Sequence, residues 1–175
     1  MDTLEVIKRR RSIRKYKSKS VPADLLDKIL HAAMQAPSAH NKQPWCFIVI
    51  TDSRKLSAIA QLHPYAEMLT EAPMAIAVCG DRRFETDDGY LALDCAAAAQ
   101  NILLSATDLG LGTVWIGIYP RAERMTELKK ITELPEYIIP INLIAVGFAD
   151  EKKHPVDRYQ SDRVFLNKYE NLYNT

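Results

Sequence analysis

The residue types best suited to bind a charged ligand lie near the start of the chain, in the stretch Arg10, Arg11, Ser12, Ile13 and Arg14. If this stretch is extended, alternate side chains share a face, so Arg10, Ser12 and Arg14 point together while Ile13 anchors the segment. Guanidinium groups match phosphate oxygens, and two of them beside a hydroxyl predict a phosphate site. A solvated basic tail or a nuclear-localisation patch is the alternative, although a plain targeting patch has no use for Ser12 and Ile13.

Two further segments could contact a flat heteroaromatic ligand. The loop between Pro37 and Pro44 is rich in amide and hydroxyl groups that can hydrogen-bond a polar ring edge. The glycines between Gly110 and Gly117 would let backbone N–H groups approach a ring, because glycine has no side chain in the way. Taken alone, each segment is better explained as ordinary structure: a helix-to-strand connection for the loop, and a helix C-cap with a core strand for the glycines.

Several enzyme signatures are missing from the sequence. It has no P-loop, no H-E-x-x-H and no G-x-S-x-G. Gly110 and Gly112 precede a predicted strand, whereas a Rossmann fingerprint follows one. The four histidines at 31, 40, 63 and 154 lack metal-ligand spacing. We therefore predict no metal site, and we expect His31 at the surface of a helix.

Hydrophobic spacing and breaker residues predict alternating helices and strands that position these segments. We expect helices over 3–9, with Leu4 and Ile7 facing inward, and over 22–34, 53–62 (capped by Ser53), 89–109 and 121–132. We expect strands over 45–51, 74–79, 113–118 and 138–148, the last interrupted by Pro140. From Ala149 onward the chain is predicted to form an irregular arm. Together these elements predict an α+β or α/β layered domain.

The predicted helix over 89–109 indicates a second subunit. Its apolar residues cover nearly the whole circumference, which is typical of a helix buried on all sides. A domain of 175 residues has little core deep enough to surround such a helix. We therefore expect a second copy of the chain to cover one face, forming a homodimer.

Composition excludes several classes of protein. Of the 175 residues, 47% are hydrophobic and 26% charged, the balance of an ordinary globular protein. The net charge is only +1, which disfavours a general nucleic-acid binder, although residues 1–19 hold eight bases against two acids. Three cysteines are an odd number for a disulfide framework and suit a reducing cytoplasm. The longest apolar stretch is too short to span a membrane.

Five segments, in this order and spacing, resemble the FMN-dependent nitroreductase family. They are R-R-S-I-R, P-S-A-H-N-K-Q-P-W, G-L-G-T-V-W-I-G, P-I-N-L-I-A-V-G-F-A-D-E and D-R-Y-Q-S-D-R-V. The resemblance runs over nearly the whole chain. It implies an α+β fold with a central, mostly antiparallel sheet flanked by helices, and an intertwined homodimer with FMN at the interface. It also implies one FMN-binding domain over 1–175, with 150–175 as a C-terminal arm.

The resemblance also implies a set of cofactor-binding residues. Arg10 and Ser12 would bind the phosphate and ribityl end, with Arg11 in the same set, and Arg158 would form a second phosphate clamp. Arg14 would lie near the pyrimidine edge of the flavin. The remaining members are Pro37, Ser38, Ala39 and Asn41, supplied by the partner subunit, and Ile116, Gly117 and Ile118, which would place a backbone N–H at flavin N5.

The implied activity is transfer of hydride from NADH or NADPH through FMN to a small acceptor such as a nitroaromatic, a quinone or an enone. No catalytic side chain is expected, because the flavin carries the chemistry. A flavin-storage protein without turnover, and a non-flavin protein whose basic N-terminus docks an acidic partner, are the alternatives. The chain departs from the family where Val156 replaces a frequent basic residue, and it has little room for a helical lid.

Overall fold

The computed structural model describes residues 1–62 and 64–173, so our expectation for His63 lies outside the described residues. The helices are α1 (Thr3–Arg9), α2 (Ala23–Met34), α3 (Ser53–Leu62), α4 (Asp88–Asp108) and α5 (Ala122–Thr132). The strands are β1 (Trp45–Ile50), β2 (Met74–Asp81), β3 (Gly112–Gly117) and β4 (Ile138–Gly147). Within the described ranges, no helix is both long and apolar enough to cross a membrane.

The four strands form one sheet in the order β1–β2–β4–β3, and every neighbouring pair is antiparallel. This confirms the predicted α+β fold with a central antiparallel sheet. The expectation that Pro140 interrupts the last strand is wrong, because β4 runs unbroken through it. Pro140 faces Cys79 of β2 beside a bulge, where the ladder tolerates a residue without an N–H.

Helices cover both faces of the sheet. On one face α3 and α5 bury side chains such as Ile59 and Leu128, and on the other α2 and α4 bury side chains such as Ile29 and Ile102. The central strands β2 and β4 are buried along their whole length. The outer strands β1 and β3 therefore offer the open edges of the sheet.

Two local predictions are corrected by the structure. Leu4 and Ile7 of α1 are 78% and 48% exposed, and α1 buries Val6 instead, because a helix of two turns has too little periodicity to define its inner face. The cap of α3 is Asp52 and not Ser53. The Asp52 carboxylate accepts a hydrogen bond from the backbone N–H of Arg54 (2.8 Å), which leaves Ser53 as the first helical residue.

The helix α4 leaves one face uncovered. Leu91, Cys95 and Ile102 are fully buried against the sheet and α2, whereas Leu93 is 68% and Tyr90 50% exposed. The described residues of this chain thus do not enclose α4. Such an exposed apolar face is typical of an interaction surface, as the prediction of a second subunit requires.

The segment after β4 lies against the basic stretch. The N–H of Asp150 donates to the carbonyl of Lys15 and that of Lys17 to the carbonyl of Phe148, both at 2.9 Å. The ammonium group of Lys153 donates to the carbonyl of Ser12 at 2.7 Å. These long-range bonds hold the beginning of the arm on residues 12–17.

Candidate functional site

Three arginines lie together at a surface cavity of about 530 Å³. Arg10, Arg11 and Arg158 line it, together with the apolar side chains of Leu4 and Ile7 and the amide of Gln100. Burial, and then the positive charges of Arg158 and Arg11, lower the pKa of Arg10. In the part of the chain that the structure describes, no carboxylate forms an ion pair with Arg10 or Arg158. Asp157 also lines the cavity, but it forms no ion pair with these arginines. Clustered guanidinium groups without an ion pair are the arrangement expected of an anion site.

Arg11 has a different part in this cluster. Its guanidinium donates to three backbone carbonyls, those of Arg10 (2.9 Å), His154 (2.9 Å) and Val156 (3.3 Å). Arg11 therefore fixes the arm beside the cavity while adding its charge to it. Val156, which stands where the resemblance implies a frequent basic residue, lines the same cavity.

The basic stretch is anchored on the open edge of β3. Ser12 forms a parallel bridge with Thr113, and the N–H of Ile13 donates to the carbonyl of Thr113 at 2.9 Å. Ile13 is buried, and a Cβ added to Gly112 would lie only 2.8 Å from its side chain. Gly112 is thus required where the two segments meet, and Ile13 is the anchor that the sequence predicted.

Arg14 lies apart from the arginine cluster. It lines a neighbouring cavity of about 290 Å³ with Lys15, Glu67 and Glu71. The expected alternation breaks after Ile13, since Ile13 and Tyr16 are both buried although they are three residues apart. The structure thus brings Arg10 and Arg158 together but does not place Arg14 in their cavity.

The loop from Pro37 to Pro44 has an unusual backbone. His40, Asn41 and Gln43 all adopt positive φ angles, of 52°, 56° and 48°. The Ser38 hydroxyl accepts a hydrogen bond from the N–H of Gln43, and the Asn41 side chain accepts one from the Gln43 amide, both at 2.9 Å. Three such residues close together store strain, which is common at functional loops.

Two buried carboxylates that the sequence analysis did not single out hold this loop. Asp94 of α4 accepts a hydrogen bond from the N–H of Ala39 (3.0 Å), and Glu85 forms an ion pair with Lys42 (2.8 Å). The Lys42 ammonium group lowers the pKa of Glu85. Asp94 could have been noticed as a lone acid in the apolar run L-A-L-D-C-A-A-A-A, but nothing in the sequence marks Glu85.

The end of β3 is open on one side. The side chains of Ile116 and Ile118 are buried, whereas a Cβ added to Gly117 would meet no atom within 4 Å. The Gly117 carbonyl accepts a hydrogen bond from Arg124 at 3.0 Å. The open space above Gly117 can accept a flat group against the backbone.

Four buried polar side-chain atoms lack hydrogen-bond partners among the described residues. They are Thr113 Oγ1, Asp94 Oδ2 and both polar atoms of the Asn142 side chain, and Asn142 pairs with Gly117 across the sheet. Leaving such an atom unsatisfied costs about 1–3 kcal/mol, which is tolerated mainly at functional sites. The sequence analysis passed over Asn142, the only amide in the apolar run over 138–146.

These features fit FMN. Ser12 lies beside Thr113, and Gly117 lies four residue steps further along β3, a distance of about 13 Å. A basic stretch that meets one end of β3 and an open glycine at the other end suit an extended ligand with a phosphate at one end and a flat ring at the other. The class of protein defined by fold and site is therefore an α+β domain whose sheet edge fits a flavin-like mononucleotide.

Comparison with known proteins gives the family. The model of the nitroreductase family matches residues 7–66 and 60–148. A protein of Methanothermobacter thermautotrophicus, to which NADH dehydrogenase/NAD(P)H nitroreductase activity is ascribed, is 46% identical over 97% of this chain and 88% of its own length. An FMN reductase (NAD(P)H) of Bacillus subtilis is 30% identical over 85% of this chain and 64% of its own length. The structure of an FMN-dependent nitroreductase from Clostridium difficile R20291 has a TM-score of 0.88 and 32% identity, covering 95% of this chain and 99% of that chain.

The chain belongs to the nitroreductase family. As a member of that family it is an oxidoreductase.

Proposed function

We propose that the chain uses FMN to pass hydride from NADH or NADPH to a small electron acceptor such as a nitroaromatic, a quinone or an enone. The similar proteins named for FMN and NAD(P)H support this proposal. The observation that carries it is the cavity in which Arg10, Arg11 and Arg158 lie together without a carboxylate ion pair among the described residues. A phosphate is the anion that such a cluster of guanidinium groups fits best.

At the phosphate end, the proposed role of the side chains is binding. When bound, FMN supplies the two-electron chemistry, and the protein holds and orients it. Arg10, Ser12 and Arg158 would bind the phosphate directly. Arg11 holds the arm through the carbonyls of His154 and Val156, so Arg158 stays beside Arg10 although Val156 brings no charge of its own.

At the ring end, the proposed role of the backbone is positioning. The segment Ile116, Gly117 and Ile118 would place a backbone N–H at N5 of the ring, and the bond from Arg124 holds the Gly117 carbonyl in place. Arg14 would lie toward the pyrimidine edge, where a positive charge favours an electron-rich ring. The loop residues Pro37, Ser38, Ala39 and Asn41 would be supplied by the second copy of the chain.

The proposed assembly is an obligate homodimer. Leu4 and Ile7 line the arginine cavity and are exposed, as is Leu93 on the uncovered face of α4. A second copy would bury these side chains and complete the flavin site at the same time, so no stable folded monomer is expected. Light scattering at micromolar protein should give a dimer. A folded monomer of about 20 kDa that retains flavin would contradict the proposal.

Two measurements separate this function from its alternatives. Oxidised-flavin absorbance of the purified protein excludes a non-flavin protein that docks an acidic partner. Anaerobic addition of NADH or NADPH should then bleach that absorbance, and an added acceptor should restore it. A flavin-storage protein would stay yellow with both nicotinamides. A panel of nitroaromatic, quinone and enone acceptors would identify the acceptor class.

Two further parts of the proposal concern organisation. We propose that residues 1–175 are one domain with 150–175 as its arm, which is supported by the bonds between the arm and residues 12–17. We also propose a cytoplasmic location, because the three cysteines carry free thiols.

A further inference from the structure

Two cysteines face each other across the strands β1 and β2. Cys46 on the outer strand is directly opposite Cys79 in the register, and all three cysteines are free thiols. Directly opposite residues share a face of the sheet, and both sulfurs point to the side covered by α3 and α5. We propose that Cys46 and Cys79 are an oxidation site that forms a reversible disulfide within one chain.

The spacing suits a bond that forms and breaks. The N–H of Asp81 donates to the carbonyl of Pro44 at 2.8 Å, so Pro44 and Asp81 form a hydrogen-bonded pair. Every second pair of an antiparallel ladder is of this kind, and Cys46 and Cys79 are therefore a hydrogen-bonded pair as well. The Cα atoms of such a pair are about 5.5 Å apart, which lies within the disulfide range. The Cβ atoms of a hydrogen-bonded pair are about 5.5 Å apart, whereas a disulfide needs about 4 Å. The bond must therefore draw β1 toward β2, and disulfides under strain are the more easily reduced ones.

The two sulfurs differ in exposure and acidity. Cys46 is half-buried and Cys79 fully buried, so an oxidant meets Cys46 first. A hydrogen bond from the Cys79 thiol lowers the pKa of Cys46, and that same contact, with burial, raises the pKa of Cys79. Cys46 therefore has the character of an attacking thiolate, and Cys79 that of the resolving thiol.

The chemistry balances with a hydroperoxide as oxidant. The Cys46 thiolate attacks one oxygen of hydrogen peroxide, giving a sulfenic acid and releasing hydroxide. The Cys79 sulfur then attacks the Cys46 sulfur, the S–O bond breaks, and the hydroxyl leaves as water with the Cys79 proton. Two thiols are oxidised to one disulfide while one peroxide is reduced. A thiol such as glutathione reverses the bond by exchange.

The disulfide would lie at the base of the 37–44 loop. Pro44 precedes Cys46 by two residues, and its carbonyl is held by Asp81, two residues after Cys79. Drawing β1 toward β2 at this point displaces the loop, so oxidation should weaken FMN binding several-fold. This second part rests on the proposed function, whereas formation of the disulfide does not.

Peptide mass spectrometry under non-reducing conditions tests the site. After hydrogen peroxide treatment we expect a linked peptide containing residues 46 and 79, a loss of two hydrogen masses, and recovery of both thiols with glutathione. Cys95→Ala is the matched control, because Cys95 is buried on the opposite face and its loss should leave the linkage intact. Cys46→Ser should abolish it. Oxidation of Cys46 to sulfinic acid without linkage, or linkage between two chains, would overturn the proposal.

A titration with FMN tests the consequence. The oxidised wild type should bind FMN several-fold more weakly than the reduced wild type, and Cys46→Ser should show no such difference. Equal FMN affinities in a protein that carries the linkage would refute the coupling to the loop. No FMN binding by either form would refute the proposed function and leave the peptide result unaffected.

Discussion

Replacing Arg158 separates a phosphate site from an ordinary basic surface. Arg158 lines the same cavity as Arg10 and Arg11, and its charge helps to lower the pKa of Arg10. In the ligand-free protein these like charges repel each other. Arg158→Ala should therefore leave the free protein as stable as the wild type, or slightly more stable, while weakening FMN binding. An arginine with a purely structural role would change stability in the opposite direction.

The expected loss of affinity follows from the contact that would disappear. A charge-assisted hydrogen bond to phosphate contributes about 1.5–3 kcal/mol, so Arg158→Ala should weaken FMN binding roughly ten- to a hundred-fold or more. Arg10→Ala should cost a similar amount. Because both side chains would share one phosphate, the double variant should lose less than the sum of the two single losses.

Fluorescence titration with FMN and with riboflavin measures this effect, and thermal unfolding without flavin measures the stability of the free protein. Arg163→Ala is the matched control, since Arg163 is an exposed arginine of the same arm. The loss should appear with FMN and be much smaller with riboflavin, which has no phosphate. Wild-type affinity in both Arg10→Ala and Arg158→Ala, or equal binding of FMN and riboflavin by the wild type, would refute the phosphate site.

Three other predictions concern the ring, the strand end and the loop. Arg14→Ala should keep more flavin than Arg158→Ala but slow its reduction by NADH in stopped-flow traces, and an unchanged rate would contradict its placement near the ring. Gly117→Val should fold normally, because an added Cβ meets nothing within 4 Å, but its bound flavin should be reduced slowly. Gly112→Val, whose Cβ would clash with Ile13, should instead lower Tm. Normal activity per bound flavin in Gly117→Val would contradict a close approach of the ring to the backbone. Lys42 holds the pKa of Glu85 below its unfolded value of 4.5. The folding stability contributed by the Lys42–Glu85 ion pair is therefore present above pH 4.5 and lost as the pH falls through the folded pKa. The Tm of Glu85→Gln should therefore decrease less than that of the wild type between pH 4.5 and lower pH. An unchanged dependence of Tm on pH would refute a contribution of Glu85 to stability in this range.

The elements of the fold could be predicted because their signals are local. The apolar spacing of α2, the continuous apolar runs of β1 and β2, and the prolines between them all act within a few residues along the chain. The cap of α3 was misplaced by one residue, from Asp52 to Ser53, and the other errors arose where a distant contact decides. Pro140 is compatible with β4 only because the bulge places it opposite Cys79, and the inner face of α1 depends on what it packs against.

The parts of the site that lie in one continuous motif could be predicted from the sequence. The residues that hold those motifs in place could not, because they are distant along the chain. Arg10 to Arg14 could be recognised as one segment, and Arg158 only through the family resemblance. The carboxylates that hold the 37–44 loop come from positions 85 and 94, far along the chain, and their partners are known only from the fold. A lone polar residue in an apolar run, such as Asp94 or Asn142, is the one local sign of such support.

The basic stretch and the arm depend on each other, which gives Arg11 a structural role beside the proposed phosphate site. Eight bases in residues 1–19 exceed what one phosphate needs. Arg11 uses its guanidinium on the carbonyls of His154 and Val156, and Lys153 of the arm returns a bond to the Ser12 carbonyl. The arm has no core of its own, so these bonds decide where Arg158 lies. Arg11 and Lys153, which would not contact the ligand, are therefore needed to hold Arg158 beside Arg10, and these two arginines would contact it.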